Sequence, residues 1–376
     1  VYNGAIAYTI DTKEAVIYAK AYNKSSETME SESVTYTIKL DKVAPTLGTV
    51  TTTATTSTIT LKVTGATDAT SGIKEYEFYV DGVLKATQTS ATYTFTGLTA
   101  DKSYEVGYKI RDNAGNVTAL NTKTQSTNAI SGTIVLTPST TEWTNGNVIV
   151  TIEWPDITLT KQIKVGDGAW QNYSNTSYEI TENTTIYARL TDGQNTGANA
   201  QLTIGNIDKT KPTVTMDAAT YIYKSKIGFE MKDTISGVIA YTITDSTEKP
   251  TTWDSVYSSA MASAGVTFLY TGNVGKHYVW VKDQAGNISD PAEFTVTAKS
   301  LTSEDITITV NPTSVVYDGS EKTVSVTVKD KTSTVATTNY TVSYKNNINV
   351  GTATVVVTGK NNYTGTNETA TFAITR

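Results

Sequence analysis

The chain has 376 residues, a formal net charge of −6, one histidine and no cysteine. That length suits two to four domains of ordinary size. The absence of cysteine excludes disulfide scaffolds, thiolate metal sites and cysteine nucleophiles. The net negative charge does not favour binding to nucleic acid. No apolar run reaches the length that crosses a membrane.

The composition predicts an all-β protein. Apolar residues make up 38 % of the chain and charged residues only 18 %. Threonine and tyrosine, which favour pleated and half-buried surfaces, fill much of the remainder, together with turn-forming asparagine and glycine. No amphipathic helix is evident, and for residues 254–265 we expect a short helical turn or an irregular loop.

A strand followed by a polar turn recurs along the chain. The sequence RDNAGN stands at 111–116, and its near copy KDQAGN stands at 282–287. Related alternating runs end at four positions, spaced 89, 80 and 91 residues apart (112−23, 192−112, 283−192): Asn23, Asp112, Asp192 and Asp283. This spacing predicts one such turn per small β domain, after the penultimate strand of each sandwich.

Two further markers repeat in the same order. The sequence DKVAPT begins at Asp41, and DKTKPT begins at Asp208. Each contains a proline that suits a chain entering a first strand, so we interpret both as short, stiff domain junctions. The loops DATSG and DTISG lead into alternating runs at 73 and 238. Asp81 and Gly82 are typical of a hairpin turn.

These markers divide the chain into five segments, and the spacing of short strands and turns predicts a β-sandwich for each complete one. The expected architecture is an elongated tandem array. We interpret the segments in chain order as follows: 1–43 is a truncated immunoglobulin-like domain, 44–128 is fibronectin type III-like, 129–209 and 210–299 are immunoglobulin-like, and 300–376 is a bacterial immunoglobulin-like domain of a different family.

The sequence does not predict an enzyme within this chain. His277 opens an alternating strand and has no nucleophile elbow to accompany it, so we interpret it as structural or surface-exposed. The acids lie in turns of separate domains, which does not favour a converging pair of catalytic carboxylates. No phosphate-binding or dinucleotide fingerprint occurs. A catalytic domain outside these 376 residues stays open.

The repeated turn has two interpretations. Asp112, Asn116, Asp283 and Asn287 offer the oxygen ligands that Ca²⁺ accepts, and the acids that open the two Ser-Gly loops could join them at domain ends. Asparagine and aspartate also bond to the backbone of their own turn, which needs only local chemistry. We favour the turn and keep calcium, the only cofactor that the sequence suggests, as the chemical role to test.

Two tryptophans are candidates for sugar binding. Trp143 and Trp170 flank Asn-Gly and Asp-Gly turns, where an exposed indole would form a platform for a glycan. Packing in a sandwich core or corner is the more ordinary role. A Lys–Asn or Lys–Asp isopeptide cross-link is a further possibility for a chain without cysteine, although the sequence does not select the residues.

Taken together, the DNAGN and DQAGN turns, the DK-x-x-P-T junctions, the D-x-x-S-G loops and the terminal VYDG…VGTATVVVTGKNNYTGT resemble tandem immunoglobulin-like and fibronectin type III repeats. Such repeats occur in bacterial surface and secreted proteins, especially Gram-positive ones. The resemblance implies a monomeric, extracellular or cell wall-attached stalk or spacer that contacts a glycan or protein of a host or the environment. Alternatives are a carbohydrate-binding or accessory region of a secreted polysaccharide-degrading enzyme, and a phage or surface-layer module.

Overall fold

A computed structural model describes residues 5, 7, 12–22, 25 and 30–376, and the regular structure of this part is almost entirely β-strand. The first elements, β1 (Thr12–Ala19) and β2 (Val34–Leu40), pair antiparallel. Asn23, the first of the four repeated positions, lies outside the described residues. No helix in the described part is long and apolar enough to span a membrane.

Segment 44–128 folds as a sandwich of a three-stranded sheet, β3-β4-β7, and a four-stranded sheet, β6-β5-β8-β9. Ile59, Leu61, Phe78 and Tyr108 fill the space between the sheets and are fully buried. The hydroxyl of Tyr104 accepts a hydrogen bond from the amide of Thr99, which fixes the corner before β8 as in a tyrosine corner. The strands are β3 (Thr49–Ala54), β4 (Ile59–Thr64), β5 (Ile73–Val80), β6 (Val83–Gln88), β7 (Thr92–Phe95), β8 (Ser103–Asp112) and β9 (Asn121–Ser126).

Segment 129–209 has the same strand order, with sheets β10-β11-β14 and β13-β12-β15-β16. Inward positions again alternate along the strands, as the pattern Val148, Val150 and Ile152 shows. The strands are β10 (Val135–Pro138), β11 (Val148–Glu153), β12 (Thr160–Val165), β13 (Gln171–Asn172), β14 (Ser177–Ile180), β15 (Thr184–Thr191) and β16 (Ala200–Ile204).

Segment 210–299 forms sheets β17-β19-β22 and β18-β24-β23-β20-β21. The expectation of a helical turn or loop at 254–265 is wrong, because this stretch forms strand β21 and the start of β22, which belong to different sheets. Its strand β21 pairs with β20 at the sheet edge, where small, exposed residues are tolerated, and Tyr257 packs toward Tyr241. The strands are β17 (Thr213–Met216), β18 (Thr220–Ile222), β19 (Lys226–Lys232), β20 (Val238–Thr244), β21 (Ser255–Met261), β22 (Ser263–Leu269), β23 (Gly275–Asp283) and β24 (Ala292–Thr297).

The last segment contains a different arrangement, in which β31 lies between β30 and β34 and also pairs with β33. The other sheets are β26-β28-β29 and the short pair β25-β32, and one 3₁₀ turn covers Thr337–Asn339. The strands are β25 (Lys299–Ser300), β26 (Ile306–Asn311), β27 (Ser314–Val316), β28 (Ser325–Asp330), β29 (Ser333–Thr334), β30 (Tyr340–Lys345), β31 (Gly351–Gly359), β32 (Tyr363–Thr364), β33 (Thr366–Asn367) and β34 (Thr371–Thr375).

The architecture confirms the prediction of an all-β chain built from tandem sandwiches. Asp112 and Asp283 end β8 and β23, the penultimate strands of their segments, as predicted. Asp81 and Gly82 have φ values of 48° and 76° and join β5 to β6 as a hairpin turn.

The chain separates into two compact units, Val1–Thr137 with Val150–Tyr178 and Thr184–Thr203, and Pro138–Ile149 with Glu179–Asn183 and Ile204–Arg376. The bounds of the five segments stay a prediction.

Candidate functional sites

Three sequence markers meet at one point in the first unit. Asp41 comes directly after β2, Asp68 lies in the connection from β4 to β5, and Asp112 is the last residue of β8. One carboxylate oxygen of each lies within 4.8 Å of the other two. The junction, the Ser-Gly loop and the Asp-Asn turn therefore form one acidic cluster.

The same three markers form a second cluster in the other unit. Asp208 follows β16, Asp233 follows β19, and Asp283 ends β23. Their carboxylate oxygens again lie within 4.8 Å of one another, and all three residues are buried. The sequence contained the signal for both clusters, because the markers occur in the same order, but their positions in sequence did not show that they converge.

Local hydrogen bonds account for the shape of each turn. Asp112 Oδ1 accepts from the amides of Gly115, at 2.6 Å, and Asn116, at 2.8 Å. Asp283 Oδ1 accepts from the amide of Asn287 at 2.7 Å. Gly115 has a φ of 101°, a conformation that glycine adopts without strain. The turn interpretation thus explains the backbone.

The two asparagines also hold the junction to the turn. Asn116 Nδ2 donates to Asp112 Oδ2 at 2.7 Å and to the carbonyl oxygen of Asp41 at 3.2 Å. Asn287 Nδ2 donates to Asp283 Oδ2 at 2.7 Å, and to the carbonyl of the junction aspartate, residue 208, at 2.9 Å. Each asparagine therefore joins the repeated turn to the junction through its side-chain amide. Its role as a calcium ligand stays a prediction.

The second aspartate of each cluster in sequence, Asp68 or Asp233, uses only one of its two carboxylate oxygens in hydrogen bonds among the described residues. Asp68 Oδ1 accepts from the amides of Ser71, at 2.9 Å, and Gly72, at 2.6 Å. Asp233 Oδ1 accepts in the same way from Ile235, at 3.1 Å, and Gly237, at 2.7 Å. Within the described part of the chain, Oδ2 of neither residue has a hydrogen-bond partner. These oxygens would be free to bind a cation.

The second cluster concentrates negative charge away from water. Burial raises the pKa of Asp283; the hydrogen bonds from Asn287 oppose that rise, and the charges of Asp208 and Asp233 add to it. No lysine or arginine among the described residues forms an ion pair with any of the three carboxylates. Buried carboxylates of this kind are stabilised by a bound cation, and Ca²⁺ prefers oxygen ligands.

The third repeated turn makes a different contact. Thr56 donates its hydroxyl to Asp192 Oδ2 at 2.5 Å, and Asn195 Nδ2 donates to the carbonyl of Leu98 at 3.1 Å. Burial of Asp192 is outweighed by these and the turn hydrogen bonds, which hold its pKa well below the usual range. No acidic cluster is found at this turn in the described chain, so here the turn docks directly onto the preceding sandwich.

His277 is a packed residue of segment 210–299. Only 3 % of it is exposed. Its Nδ1 lies 2.6 Å from Asp245 Oδ1 and 3.1 Å from the hydroxyl of Tyr270, and its Nε2 lies 2.7 Å from the carbonyl oxygen of Asn273. These partners fix the ring in the sandwich, which agrees with the structural interpretation.

The two candidate tryptophans belong to different compact units. Trp143 is half-buried in the connection between β10 and β11, whereas Trp170 is half-buried just before β13 in the other unit. One face of the Trp170 ring is covered by Arg189, whose guanidinium carbon lies 4.0 Å from the ring centroid. Whether either indole binds a glycan stays a prediction.

Comparisons with known proteins show similarity to parts of two bacterial enzymes, while no family model matches. Chitinase A1 of Niallia circulans is 44 % identical over 81 residues, which is 21 % of this chain, and exoglucanase B of Cellulomonas fimi is 33 % identical over 121 residues, which is 31 %. Each match spans only 11 % of the enzyme's length. Among solved structures, the central fibronectin-III array of RIM-binding protein aligns with 66 % of this chain and 96 % of its own, at 11 % identity and a TM-score of 0.21.

Proposed function

We propose that this chain is a non-catalytic accessory or spacer region of a secreted bacterial protein. The observation that carries the proposal is the similarity to short stretches of a chitinase and an exoglucanase, each of them 11 % of the enzyme. A module that occupies so small a part of two enzymes with different names supports a role that is independent of either reaction. The tandem sandwiches and repeated junctions fit that role, and its location would be extracellular.

The enzyme relatives favour the accessory region of a polysaccharide-degrading enzyme over the alternative, a stalk of a cell-surface protein. The complete reading frame distinguishes the two. A catalytic domain on the same chain is the expected result, and a cell-wall sorting signal without a catalytic domain would instead establish the stalk. As a direct test, the purified chain should release no soluble sugar from chitin or cellulose, and measurable hydrolysis would overturn the non-catalytic role.

We further propose that the two acidic clusters bind Ca²⁺ and thereby fix the junctions that they contain. Asp41 and Asp208 come from junction sequences, whereas the other two aspartates of each cluster come from the following sandwich. A cation held by all three would link the junction to the sandwich. The amides of Ser71 and Ser236 donate to Asp41 and Asp208, at 3.0 and 3.1 Å, which also joins each junction to the Ser-Gly loop of the following sandwich.

Thermal unfolding with calcium and with EGTA tests this role. A ligand at a hundred times its dissociation constant stabilises the folded state by about 2.7 kcal/mol per site. We therefore expect calcium to raise the midpoint of the transitions that include the clusters. Unchanged melting over a wide calcium range would contradict the proposal and would leave the turns with a backbone role alone.

Matched variants locate the effect. Asp68→Asn and Asp233→Asn keep the Oδ1 atom that bonds to the loop amides and replace only the free oxygen, so each should remove the calcium response of its own cluster. Asp81→Asn is the control: it deletes one exposed charge, and the new side chain can still accept from the amide of Glu105 and suits the hairpin turn. An equal loss of response in the control would show that net charge, and not the clusters, is responsible.

A further inference from the structure

The outward face of sheet β13-β12-β15-β16 carries an aligned set of polar, basic and aromatic side chains. Ile163 on β12 and Ala188 on β15 pair with each other and are fully buried, so their neighbours in sequence point outward. Across the two strands, Gln162 lies opposite Arg189 and Lys164 lies opposite Tyr187. We call these four residues, together with Trp170 and Asn172, the cationic face.

Aromatic rings hold both cations of the cationic face in position. The guanidinium carbon of Arg189 lies 4.0 Å from the centroid of the Trp170 ring. Lys164 Nζ lies 4.5 Å from the centroid of the Tyr187 ring and 5.9 Å from that of Trp170. Cation–π contacts of this length orient the charged groups, which reduces the conformational entropy lost when a ligand binds.

Among the described residues, neither of these two charges has a carboxylate partner. In the described structure, no carboxylate lies within 4.0 Å of a charged nitrogen of Lys164 or Arg189. By contrast, Arg111 on the neighbouring sandwich pairs with Glu75 and Glu77, at 3.3 and 2.8 Å. The chain has a net charge of −6, but this part of its surface carries two positive charges without a carboxylate partner in the described structure. Such a surface attracts an anionic ligand.

Hydrogen-bonding groups extend the cationic face beyond its charges. Arg189 donates its Nε–H to Gln162 Oε1 at 3.0 Å, and Gln162 Nε2 donates to Asn172 Oδ1 at 3.0 Å. The terminal amino groups of Arg189 and the ammonium of Lys164 have no acceptor in the described chain. A shallow depression of about 290 Å³, lined in part by Lys161 and Tyr173, adjoins the face at Asn172.

We propose that the cationic face binds an acidic polysaccharide. The carboxylates of such a polymer would pair with Arg189 and Lys164, its hydroxyl groups would bond to the amides of Gln162 and Asn172, and its ring C–H groups would pack against the half-buried side chains of Trp170 and Tyr187. An acidic polypeptide offers the charges without the saccharide rings and hydroxyls, so the mixed character of the face favours the saccharide. This goes beyond the proposed function, since a spacer needs no ligand.

Binding of polygalacturonate to the full chain tests the proposal, with dextran as the neutral polymer and polyglutamate as the acidic polypeptide. We expect saturable binding of polygalacturonate that weakens with added salt, and much weaker binding of the other two. The absence of saturable binding would overturn the proposal. Equal affinity for dextran would show that the charges do not contribute, and equal affinity for polyglutamate would reduce the face to a non-specific anion surface; either result contradicts the inference.

Variants connect binding to the cationic face. Arg189→Gln, Lys164→Gln and Trp170→Ala should each weaken polygalacturonate binding by about tenfold, which is the effect of losing one good contact. Arg189→Lys keeps the charge and should recover part of the affinity. Lys109→Gln is the matched control, because Lys109 lies over Tyr79 at 5.4 Å, beside acidic residues on another sandwich. Loss of binding in this control, with the face variants unaffected, would place the site elsewhere and overturn the assignment.

Discussion

The buried carboxyl of Asp283 links the charge of one cluster to the stability of its sandwich. Its folded-state pKa is raised above the ordinary value of 3.8 by burial and by Asp208 and Asp233, despite the hydrogen bonds from Asn287. The folded state therefore binds more protons than the unfolded state between 3.8 and the raised value, so this group's contribution to stability falls as pH rises through that window. Without calcium, we expect Asp233→Asn to be more stable than the natural chain at neutral pH and to lose that advantage as the pH falls toward 3.8.

Chemical unfolding in EGTA at several pH values measures this difference. Comparing two chains that differ at one position cancels the titration of groups that they share, including carboxyls whose pKa is lowered. A variant that is less stable than the natural chain at neutral pH would show that the carboxylates do not repel one another in the absence of a cation.

At the scale of an element, the side chain of Asn362, in the loop between β31 and β32, bonds to the loop between β22 and β23. Asn362 Oδ1 accepts from the amide of Val274 at 2.9 Å, and its Nδ2 donates to Asn273 Oδ1 at 2.9 Å. Asn362→Asp keeps the size and the acceptor but places a carboxylate against the Asn273 oxygen. Because Asn362 itself is buried, although Asn273 and Val274 are exposed, we expect a loss of about 1 kcal/mol in the unfolding free energy of the last two sandwiches.

Asn361 provides a matched control next to it. This exposed side chain donates to the carbonyl of Thr338 at 2.9 Å, within its own sandwich. Urea unfolding should show that Asn361→Asp is the milder change, since water can replace an exposed hydrogen bond. Equal losses for both variants would mean that the contact between the two loops adds no stability of its own.

The elements could be predicted from the sequence further than the sites. Alternation and glycine turns depend on neighbouring residues, which is why the strands that end at Asp112 and Asp283 were predictable. The convergence of Asp41 on Asp112 depends on how a junction folds back across two loops, and no local pattern encodes that path. The stacking of Trp170 on Arg189 likewise could not be predicted, because it depends on the register between neighbouring strands. The error at 254–265 has the same origin, because pairing with β20 overrides the weak preference of small residues.

For the molecule as a whole, the sequence did not decide whether an isopeptide cross-link forms. The structure identifies Lys299 as the lysine at which this can be tested. Lys299 is buried, and its Nζ lies 2.7 Å from Asp330 Oδ1 and 2.8 Å from Asp305 Oδ2. Burial lowers the pKa of Lys299, but the two carboxylates outweigh it and raise the pKa overall. An isopeptide bond requires a neutral amine that attacks a protonated carboxyl group, whose hydroxyl then leaves as water with a proton from the amine, whereas this geometry favours an ammonium between two carboxylates.

We therefore predict an ion pair and an intact mass equal to that of the sequence, 40.4 kDa, with no loss of water. A mass lower by one water, together with a tryptic peptide joining Lys299 to Asp330, would contradict this. If the pair is ionic, Asp330→Asn leaves a buried cation with one partner fewer and should cost about 3 kcal/mol of unfolding free energy. The exposed pair of Lys345 and Glu368 is the control, and Glu368→Gln should cost less than about 1 kcal/mol because water screens that interaction.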